Sequence, residues 1–275
     1  MSSVIPVAPV PLTKEQAEAM LHHQIKKHHV AIILVHWFNA MTWILEVSTG
    51  AALISSRYFR VAPDWYIAMF NGLLGGRANL LQFHIALGVT WILVFLPYGL
   101  FGFRTYLRGE MLKVTDRDDM RWLIIRTLQI LGKSDEPLPP QGIYNAGQKA
   151  FSMVVWMMTP VVMVTGVTMA FRLGSPWVVG WAVVLHFLAV GMIVAGLVVH
   201  VYMGAIFPEE KPAFFSMITG TVNELFAYNH HFKWWREMKV AHLAWEQKRT
   251  PKDKGVGSDE PEGEPAEKPA TDSPG

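Results

Sequence analysis

Four long stretches of this chain are nearly free of charged side chains, and they limit its possible folds more than any other feature. They lie at roughly residues 30–54, 80–103, 150–171 and 178–207. Each matches or exceeds the ~20 apolar residues with which a helix crosses about 30 Å of hydrocarbon. Charged residues make up 17% of the chain, against about a quarter in an average soluble domain. The sequence therefore predicts an all-α membrane protein built as a bundle of four transmembrane helices.

The residues outside these stretches divide into flanking segments. Residues 1–29 form a polar lead-in, residues 30–207 the predicted four-helix transmembrane domain, and residues 208–248 an amphipathic segment. Residues 249–275 are rich in Pro, Glu and Gly, a composition that cannot bury a core and predicts disorder. Within residues 55–79 the run WYIAMF is too short to cross a membrane and predicts an interfacial helix.

Lysine and arginine are distributed unevenly between the two ends of the predicted bundle. Of the 24, 20 lie before the first span, in the 104–149 connection or after the fourth span. The four at the opposite end are Arg57, Arg60, Arg77 and Arg172. Because positive charge accumulates in cytoplasmic loops, we expect both termini and the 104–149 connection to be cytoplasmic. The apolar spans predict membrane lipid as the surroundings of the chain, and the net charge of +2 excludes a strong overall attraction to nucleic acid, which is not an expected partner.

The chain contains no cysteine, and this limits the cofactors that it can hold. Disulfides, thiolate zinc sites, iron–sulfur clusters and covalent haem attachment all require that residue. Any redox cofactor must therefore use other ligands. The 11 histidines are the candidates, since imidazole binds iron, copper and zinc.

Four histidines lie inside the predicted spans, namely His36, His84, His186 and His200. An ionisable residue at membrane depth is costly and is a functional-site hypothesis by default. At the helical rise of 1.5 Å per residue, His36 and His200 lie ~9–10 Å from the cytoplasmic ends of their spans. His84 and His186 lie ~6–12 Å from the outer ends. Two histidines are therefore expected at each of two depths.

The spacing within the fourth span supports this arrangement. His186 and His200 are 14 residues apart, which is about 40° short of four turns and ~21 Å along the helix axis. They share one face, and depth pairs His200 with His36 and His186 with His84. A histidine in a membrane often only hydrogen-bonds to a neighbouring helix. Two pairs at matched depths favour two haem b groups instead, although geometry alone leaves the cofactor open.

Four glycines in these spans are expected to leave room for a flat macrocycle between the helices: Gly88, Gly166, Gly191 and Gly196. Glu46 is unusual in the middle of the first span. It is interpreted as a neutral, hydrogen-bonded acid or, alternatively, as a proton relay or a propionate contact. The histidines outside the spans are expected to be surface residues: His22, His23, His28, His29, His230, His231 and His242.

Several short motifs give the chain a family resemblance. They are LVHW, QFHIALG, YNAGQK, VTGV, LHFLAVG, VVHVYMG and NHHFKWWREM. From about His29 to Met238 the sequence resembles the gamma subunit, a four-helix dihaem cytochrome b, of respiratory membrane-bound formate dehydrogenases. That family belongs to the bacterial cytoplasmic (inner) membrane.

The resemblance implies a role for each candidate residue. It implies that His36 and His200 ligate the iron of a cytoplasmic-side haem, and that His84 and His186 ligate the iron of an outer haem. It also implies a site for a quinone, menaquinone or ubiquinone, beside the inner haem at the YNAGQK motif. Asn145, Gly147 and Gln148 match the family there, whereas the residues alone equally allow a helix start capped by Asn145.

The resemblance also implies partners and a reaction. The partners are an iron–sulfur beta subunit and a catalytic alpha subunit containing molybdenum or tungsten. Electrons would enter at the outer haem and reduce the quinone on the cytoplasmic side, so the chain would be the electron-transfer and quinone-reducing subunit of an enzyme, with no formate-oxidising site of its own. The alternatives are a cytochrome b subunit of a hydrogenase, thiosulfate reductase or other molybdoenzyme, or a haem-free anchor or transporter.

Overall fold

The computed structural model describes residues 5–6, 8–56, 59–102 and 117–249, with side chains of the last helix described up to residue 246. Apart from residue 249, the predicted disordered tail lies outside these ranges. So do Arg57 and the first part of the 104–149 connection, which contribute to the predicted orientation.

Four long apolar helices form the body of the protein, as the sequence predicts. They are α2 (Val30–Leu53), α4 (Arg77–Gly102), α6 (Ala146–Ala170) and α7 (Pro176–Val201). Each is long and apolar enough to cross a membrane, and few of their residues are buried within the protein. The all-α membrane fold with four spanning helices is therefore confirmed.

Helices α6 and α7 begin slightly earlier than hydropathy predicts because polar caps start them. At the start of α6, the Asn145 side chain accepts from the Gln148 backbone N–H while the Gln148 side chain accepts from the Asn145 N–H. This reciprocal capping box satisfies two otherwise free donors. At the start of α7 the Ser175 side chain accepts from the Val178 N–H, and Pro176 follows at the first helical position, where its missing N–H costs nothing.

The fourth span ends in a wider turn of helix directly after His200. Residues Tyr202–Ile206 form a π-helical turn, closed by a hydrogen bond from the Phe207 N–H to the Tyr202 carbonyl. Pro208 follows, and a proline ring clashes with the carbonyl four residues before it. The wider turn removes this conflict and ends the span.

Neighbouring spans are connected by few polar contacts. The Trp91 indole N–H on α4 donates to the Asn39 side chain on α2 over 2.7 Å. Between these spans, α3 (Asp64–Leu74) forms at the predicted interfacial run, and its Tyr66 hydroxyl donates to the Ser48 carbonyl of α2 over 3.2 Å. The short turn between α6 and α7 makes these two helices pack side by side.

Both flanking segments fold together at one end of the bundle, and we call residues 8–29 and 208–246 the cap. Its elements are α1 (Lys14–His22), β1 (Gln24–Lys26), α8 (Lys211–Thr219), β2 (Thr221–Asn223), α9 (Glu224–His230) and α10 (Phe232–Arg249). Strand β1 pairs with β2 in an antiparallel register that places Ile25 opposite Val222. An aromatic core holds the cap together: Phe226, Tyr228, Phe232, Trp234 and Trp235. This end of the bundle is the capped end, and the opposite end is the far end.

The cap corrects one prediction from the sequence. His28 and His231, expected at the surface, are 6% and 0% exposed. The His231 Nδ1–H donates to the Gly142 carbonyl over 2.7 Å, and its Nε2 accepts from the Lys27 ammonium over 2.9 Å. Lys27 after β1 and the connection before α6 contact these side chains, an arrangement that no local sequence pattern indicates.

Helix α5 (Arg117–Ile130) packs against α6 through a buried ion pair. The Lys149 ammonium donates to the Asp119 carboxylate over 2.8 Å, and the two side chains are 12% and 2% exposed. We expect Asp119→Ala to lower the free energy of unfolding by about 3–5 kcal/mol, because Lys149 would remain buried without its partner. Denaturant titration of the protein in detergent measures this change.

The control is Asp64→Ala, which breaks the solvent-exposed ion pair with Arg60. Exposed pairs contribute little to stability, so this variant should unfold at the same denaturant concentration as the parent protein. Equal effects of the two substitutions would contradict the role assigned to the buried pair.

Candidate functional site

The structure brings the four intramembrane histidines together in two pairs. His36 on α2 and His200 on α7 meet toward the capped end, with ring centres 6.3 Å apart. His84 on α4 and His186 on α7 line one cavity toward the far end. These are the pairs that depth in the spans predicts. Their role as ligands stays a prediction.

The spacing of the pair at the capped end fits one metal ion between the two rings. Metal–imidazole bonds of about 2.0–2.1 Å on opposite sides of an ion, plus about 1 Å from each nitrogen to its ring centre, separate the centres by ~6 Å. The His36 Nδ1 is buried and has no hydrogen-bond partner within the described residues. An aromatic residue also adjoins the pair, because the Phe151 ring stacks on the His200 ring at 5.2 Å and 25°.

The glycines expected to leave room for a macrocycle have different roles. A Cβ on Gly196 would lie 2.5 Å from the Phe151 ring, so this glycine accommodates Phe151. Gly166 lies against His186, Gly88 lies against Glu46, and Gly191 faces open space. Room for a macrocycle stays a prediction at Gly88, Gly166 and Gly191, which line the cavity toward the far end, and at Gly196 an aromatic side chain fills the gap.

The pair at the far end lies in a large apolar cavity. Its volume is about 1060 Å³, and all four spanning helices line it. Sites for small molecules and cofactors typically measure roughly 300–1,000 Å³ and are mostly apolar with a few placed polar groups. Arg77 and Arg172 also line the cavity, and a guanidinium is suited to bind a carboxylate in two-point contact.

Each histidine at the far end is oriented by a threonine of the preceding spanning helix. The Thr49 hydroxyl donates to the Leu45 carbonyl over 2.8 Å, and its oxygen lies 2.9 Å from the His84 Nδ1. The Thr165 hydroxyl donates to the Val161 carbonyl over 2.5 Å. Since each hydroxyl proton is already donated, each threonine oxygen is an acceptor for the Nδ1–H of its histidine. At His84 it shares this proton with the Glu46 carboxylate, whose Oε2 lies 2.7 Å from Nδ1.

The same arrangement holds around His186, where the Thr165 oxygen lies 3.0 Å from Nδ1. With the proton fixed on Nδ1, the Nε2 of each ring carries a free lone pair. Histidines that ligate metals almost always donate their other N–H in this manner. These two residues therefore fit the donor set of a metal with two axial imidazoles.

Analysis of the sequence missed the two threonines, although a signal was present. Thr49 and Thr165 are each followed by glycine, and a Cβ on either Gly50 or Gly166 would lie 3.4 Å from the adjacent histidine ring. A Thr-Gly dipeptide near the end of one span, with a histidine near the start of the next, thus occurs twice. No fixed period separates the two copies, because the intervening connections differ in length.

The residues of the predicted quinone site form the first turn of α6 and its cap. The side-chain oxygens of Asn145 and Gln148 both accept backbone N–H groups of the capping box, over 2.9 and 3.0 Å. A Cβ on Gly147 would lie 3.3 Å from the Trp122 ring, so this glycine permits α5 to pack closely. The amide nitrogens of Asn145 and Gln148 are the groups that remain for a ligand.

Buried polar groups of the cap lie next to this helix start. His28 is stacked with Tyr144, ring centres 6.3 Å apart, and its Nδ1 is buried without a hydrogen-bond partner within the described residues. Burial, together with the nearby Lys27 cation, lowers the pKa of His28 to about 4. Burial lowers the pKa of Lys27 to about 8, against the opposing effect of Glu210. Burial and Lys27 also lower the pKa of His231 well below its usual value.

Comparison with known proteins identifies a family. A sequence profile described as prokaryotic cytochrome b561 matches residues 27–220. The match includes the four intramembrane histidines, both threonines and the helix start at Asn145.

Curated relatives agree with this match. The cytochrome b556(Fdn) subunit of the nitrate-inducible formate dehydrogenase of Escherichia coli K12 is 26% identical over 210 residues, 75% of this chain and 88% of the relative. The cytochrome b556 subunit of Haemophilus influenzae formate dehydrogenase is 23% identical over 224 residues, 80% and 86% of the two chains. The E. coli K12 cytochrome b556(fdo) subunit is 24% identical over 210 residues, 74% and 88%. These relatives confirm the resemblance that the motifs indicate.

The lowered histidine pKa values predict that acid weakens the cap. Between pH 6.5 and about 4, the unfolded chain binds a proton at His28 that the folded chain does not bind. The free energy of unfolding should therefore fall as the pH is lowered through this range, by roughly 3 kcal/mol from His28 alone. The midpoint of thermal unfolding in detergent, measured from pH 7.5 to 4.5, tests this.

The matched variants are His28→Gln and His22→Gln. The first should flatten the pH dependence, whereas the second, at an exposed histidine of α1, should leave it as in the parent protein. An unchanged slope in His28→Gln would exclude His28 as its source.

Proposed function

We propose a function on the premise that this chain belongs to the prokaryotic cytochrome b561 family. It is the membrane-spanning electron-transfer subunit of a formate dehydrogenase complex. The family match covers more than half of the chain, and the relatives quoted above are cytochrome subunits of formate dehydrogenases. The two pairs of histidines at two depths carry the proposal.

Each pair holds one haem b in this proposal. His36 and His200 would ligate the haem iron toward the capped end, and His84 and His186 would ligate the iron toward the far end. A haem b bound between two imidazoles supplies a reversible one-electron carrier. The protein contributes the ligands, their orientation and the apolar surroundings that exclude water.

The residues of the chain set up the far-end site before any ligand binds. Thr49 and Thr165 hold the protons of His84 and His186 on Nδ1, which leaves each Nε2 free to coordinate. Gly50 and Gly166 allow the histidine rings to lie close to the neighbouring helices. Arg77 and Arg172 supply positive charge for the carboxylates of the macrocycle at the cavity wall.

A quinone is reduced at the capped end. Asn145 and Gln148 can each direct an amide N–H at a quinone carbonyl while their oxygens maintain the helix cap. His28 and Tyr144 lie beside this helix start, and the unpartnered Nδ1 of His28 is available for a hydrogen bond. A site of this kind needs few polar groups within an apolar wall.

The proposal extends to orientation and partners. The distribution of Lys and Arg supports a cytoplasmic location for the capped end and for both termini. An iron–sulfur subunit and a molybdenum- or tungsten-containing catalytic subunit then deliver electrons from the outer side. Reduction of the quinone with cytoplasmic protons would add to the membrane potential.

Haem content and the partner define the direct test. The purified chain should contain two haems b and show b-type absorption after reduction with dithionite. Affinity purification from native membranes should recover a formate-oxidising complex. Absence of iron and of b-type bands would refute the electron-transfer function. Recovery of a hydrogenase or thiosulfate reductase would retain that function and change the electron donor.

Substitution of single ligands tests the pairing. His200→Ala should remove the capped-end haem and quinone reduction, and it should leave the far-end haem in place, because each iron depends on its own two imidazoles. His186→Ala should do the converse. Haem stoichiometry and redox titration of each purified variant measure this. Equal loss of both haems in either variant would contradict the assignment by depth.

A conservative substitution separates the two roles of Asn145. Asn145→Ser keeps a good N-cap but removes the amide N–H, so reoxidation of the reduced protein by a quinone analogue should slow at least tenfold with haem content unchanged. Asn145→Ala removes the cap as well and should also destabilise α6 by about 1 kcal/mol. Full activity of Asn145→Ser would leave this residue with a structural role alone.

A further inference from the structure

A carboxylate lies in the middle of the first spanning helix, where a charge is costly. Glu46 is on α2, and its side chain is 18% exposed. It lines the far-end cavity together with His84 and His186. Ionisable residues within membrane spans almost always pair with another polar group, which offsets the cost of burying them.

The partner is the histidine assigned above to the far-end haem. The Glu46 Oε2 lies 2.7 Å from the His84 Nδ1, closer than the Thr49 oxygen at 2.9 Å. If Nε2 coordinates iron, the only ring proton of His84 is on Nδ1, so Glu46 accepts this proton and shares it with the Thr49 oxygen. A carboxylate is a stronger acceptor than a hydroxyl because it carries charge.

The two histidines of the far-end cavity are therefore not equivalent. Both have a threonine oxygen at Nδ1, over 2.9 and 3.0 Å. Only His84 also has a carboxylate there, among the residues that the structure describes. The threonine–histidine pair therefore occurs twice, and only one copy has a carboxylate. The copy without it, Thr165 and His186, serves as the matched control.

The second carboxylate oxygen of Glu46, Oε1, receives no hydrogen bond that would offset its burial, within the described residues. A Cβ on Gly88 would lie 3.3 Å from it, so a glycine gives the carboxylate its space on the α4 side. A carboxylate oxygen left unpaired in an apolar cavity is expensive unless a positive centre offsets it. A ferric haem with two neutral imidazoles supplies such a centre.

We propose that Glu46 is a positioning residue that lowers the midpoint potential of the far-end haem through His84. Accepting the Nδ1–H increases the electron donation of the imidazole to iron. The negative charge also favours the oxidised iron over the reduced iron. One electron is taken up on reduction, and the proton remains on His84. This inference rests on the proposed haem function.

Glu46→Gln tests the charge while keeping a hydrogen-bonding side chain of the same size. In the purified full-length protein, optical redox titration should show a shift of the far-end haem toward easier reduction. We expect at least a tenfold change in its redox equilibrium, which is ~59 mV for a one-electron couple. The capped-end haem should keep its potential. An unchanged far-end potential with normal haem content would overturn the proposal.

Two threonine variants give a test that leaves Glu46 in place. Thr165→Val removes the threonine acceptor of His186, leaves only the neutral Val162 carbonyl as a described partner, and should raise the far-end potential. Thr49→Val should raise it less, because the Glu46 carboxylate still accepts the proton of His84. An equal rise in both variants would overturn the role of Glu46, and this comparison decides the question if Glu46→Gln fails to retain haem.

The same measurements separate this inference from the proposed function. A parent protein without haem would refute the proposed function itself. The parent protein could instead contain two haems whose midpoint potentials do not change in Glu46→Gln and change equally in the two threonine variants. That result would refute only the present inference.

Discussion

Hydrocarbon offers no hydrogen-bond partner to a polar side chain, and this constraint determines how the histidines of the four spanning helices are held. At the far end each imidazole uses Nδ1 to reach a threonine whose own proton is already donated within its helix. The hydroxyl and Nδ1–H groups thereby form hydrogen bonds within the protein, and Nε2 keeps a lone pair that can bind a ligand. The orientation of the two rings and the proposed chemistry depend on these contacts, to which Glu46 adds a carboxylate at His84.

The two levels of the bundle meet this constraint differently. Toward the far end, glycines beside the threonines bring the helices close to the histidine rings, and an open cavity remains between the spans. Toward the capped end, Phe151 packs against Gly196 and stacks on His200, so aromatic contact replaces hydrogen bonding. The Nδ1 of His36 stays without a described partner. The structure thus gives the two proposed haems distinct surroundings.

The cap is a folded region with buried polar groups at one end of the bundle. Glu224 accepts from Trp235, Lys239 and His23. Burial alone would raise the pKa of this carboxyl, and these three donors lower it. Similar burial holds His231 neutral beside Lys27. The cap thereby joins the beginning of the chain to its last helices and encloses the start of α6, where a quinone is proposed to bind.

The sequence by itself determined the spans and the depths of the intramembrane histidines, because hydropathy and helical rise are local properties. It also indicated the family, through the YNAGQK motif together with the 14-residue spacing between His186 and His200. Tertiary structure alone decided which polar atoms meet. The acceptance of the His84 proton by Glu46 joins residues on different helices, and the strand pairing that buries His28 and His231 joins segments about 200 residues apart. Such contacts depend on how helices pack and on where the chain returns, and neither composition nor periodicity encodes them locally.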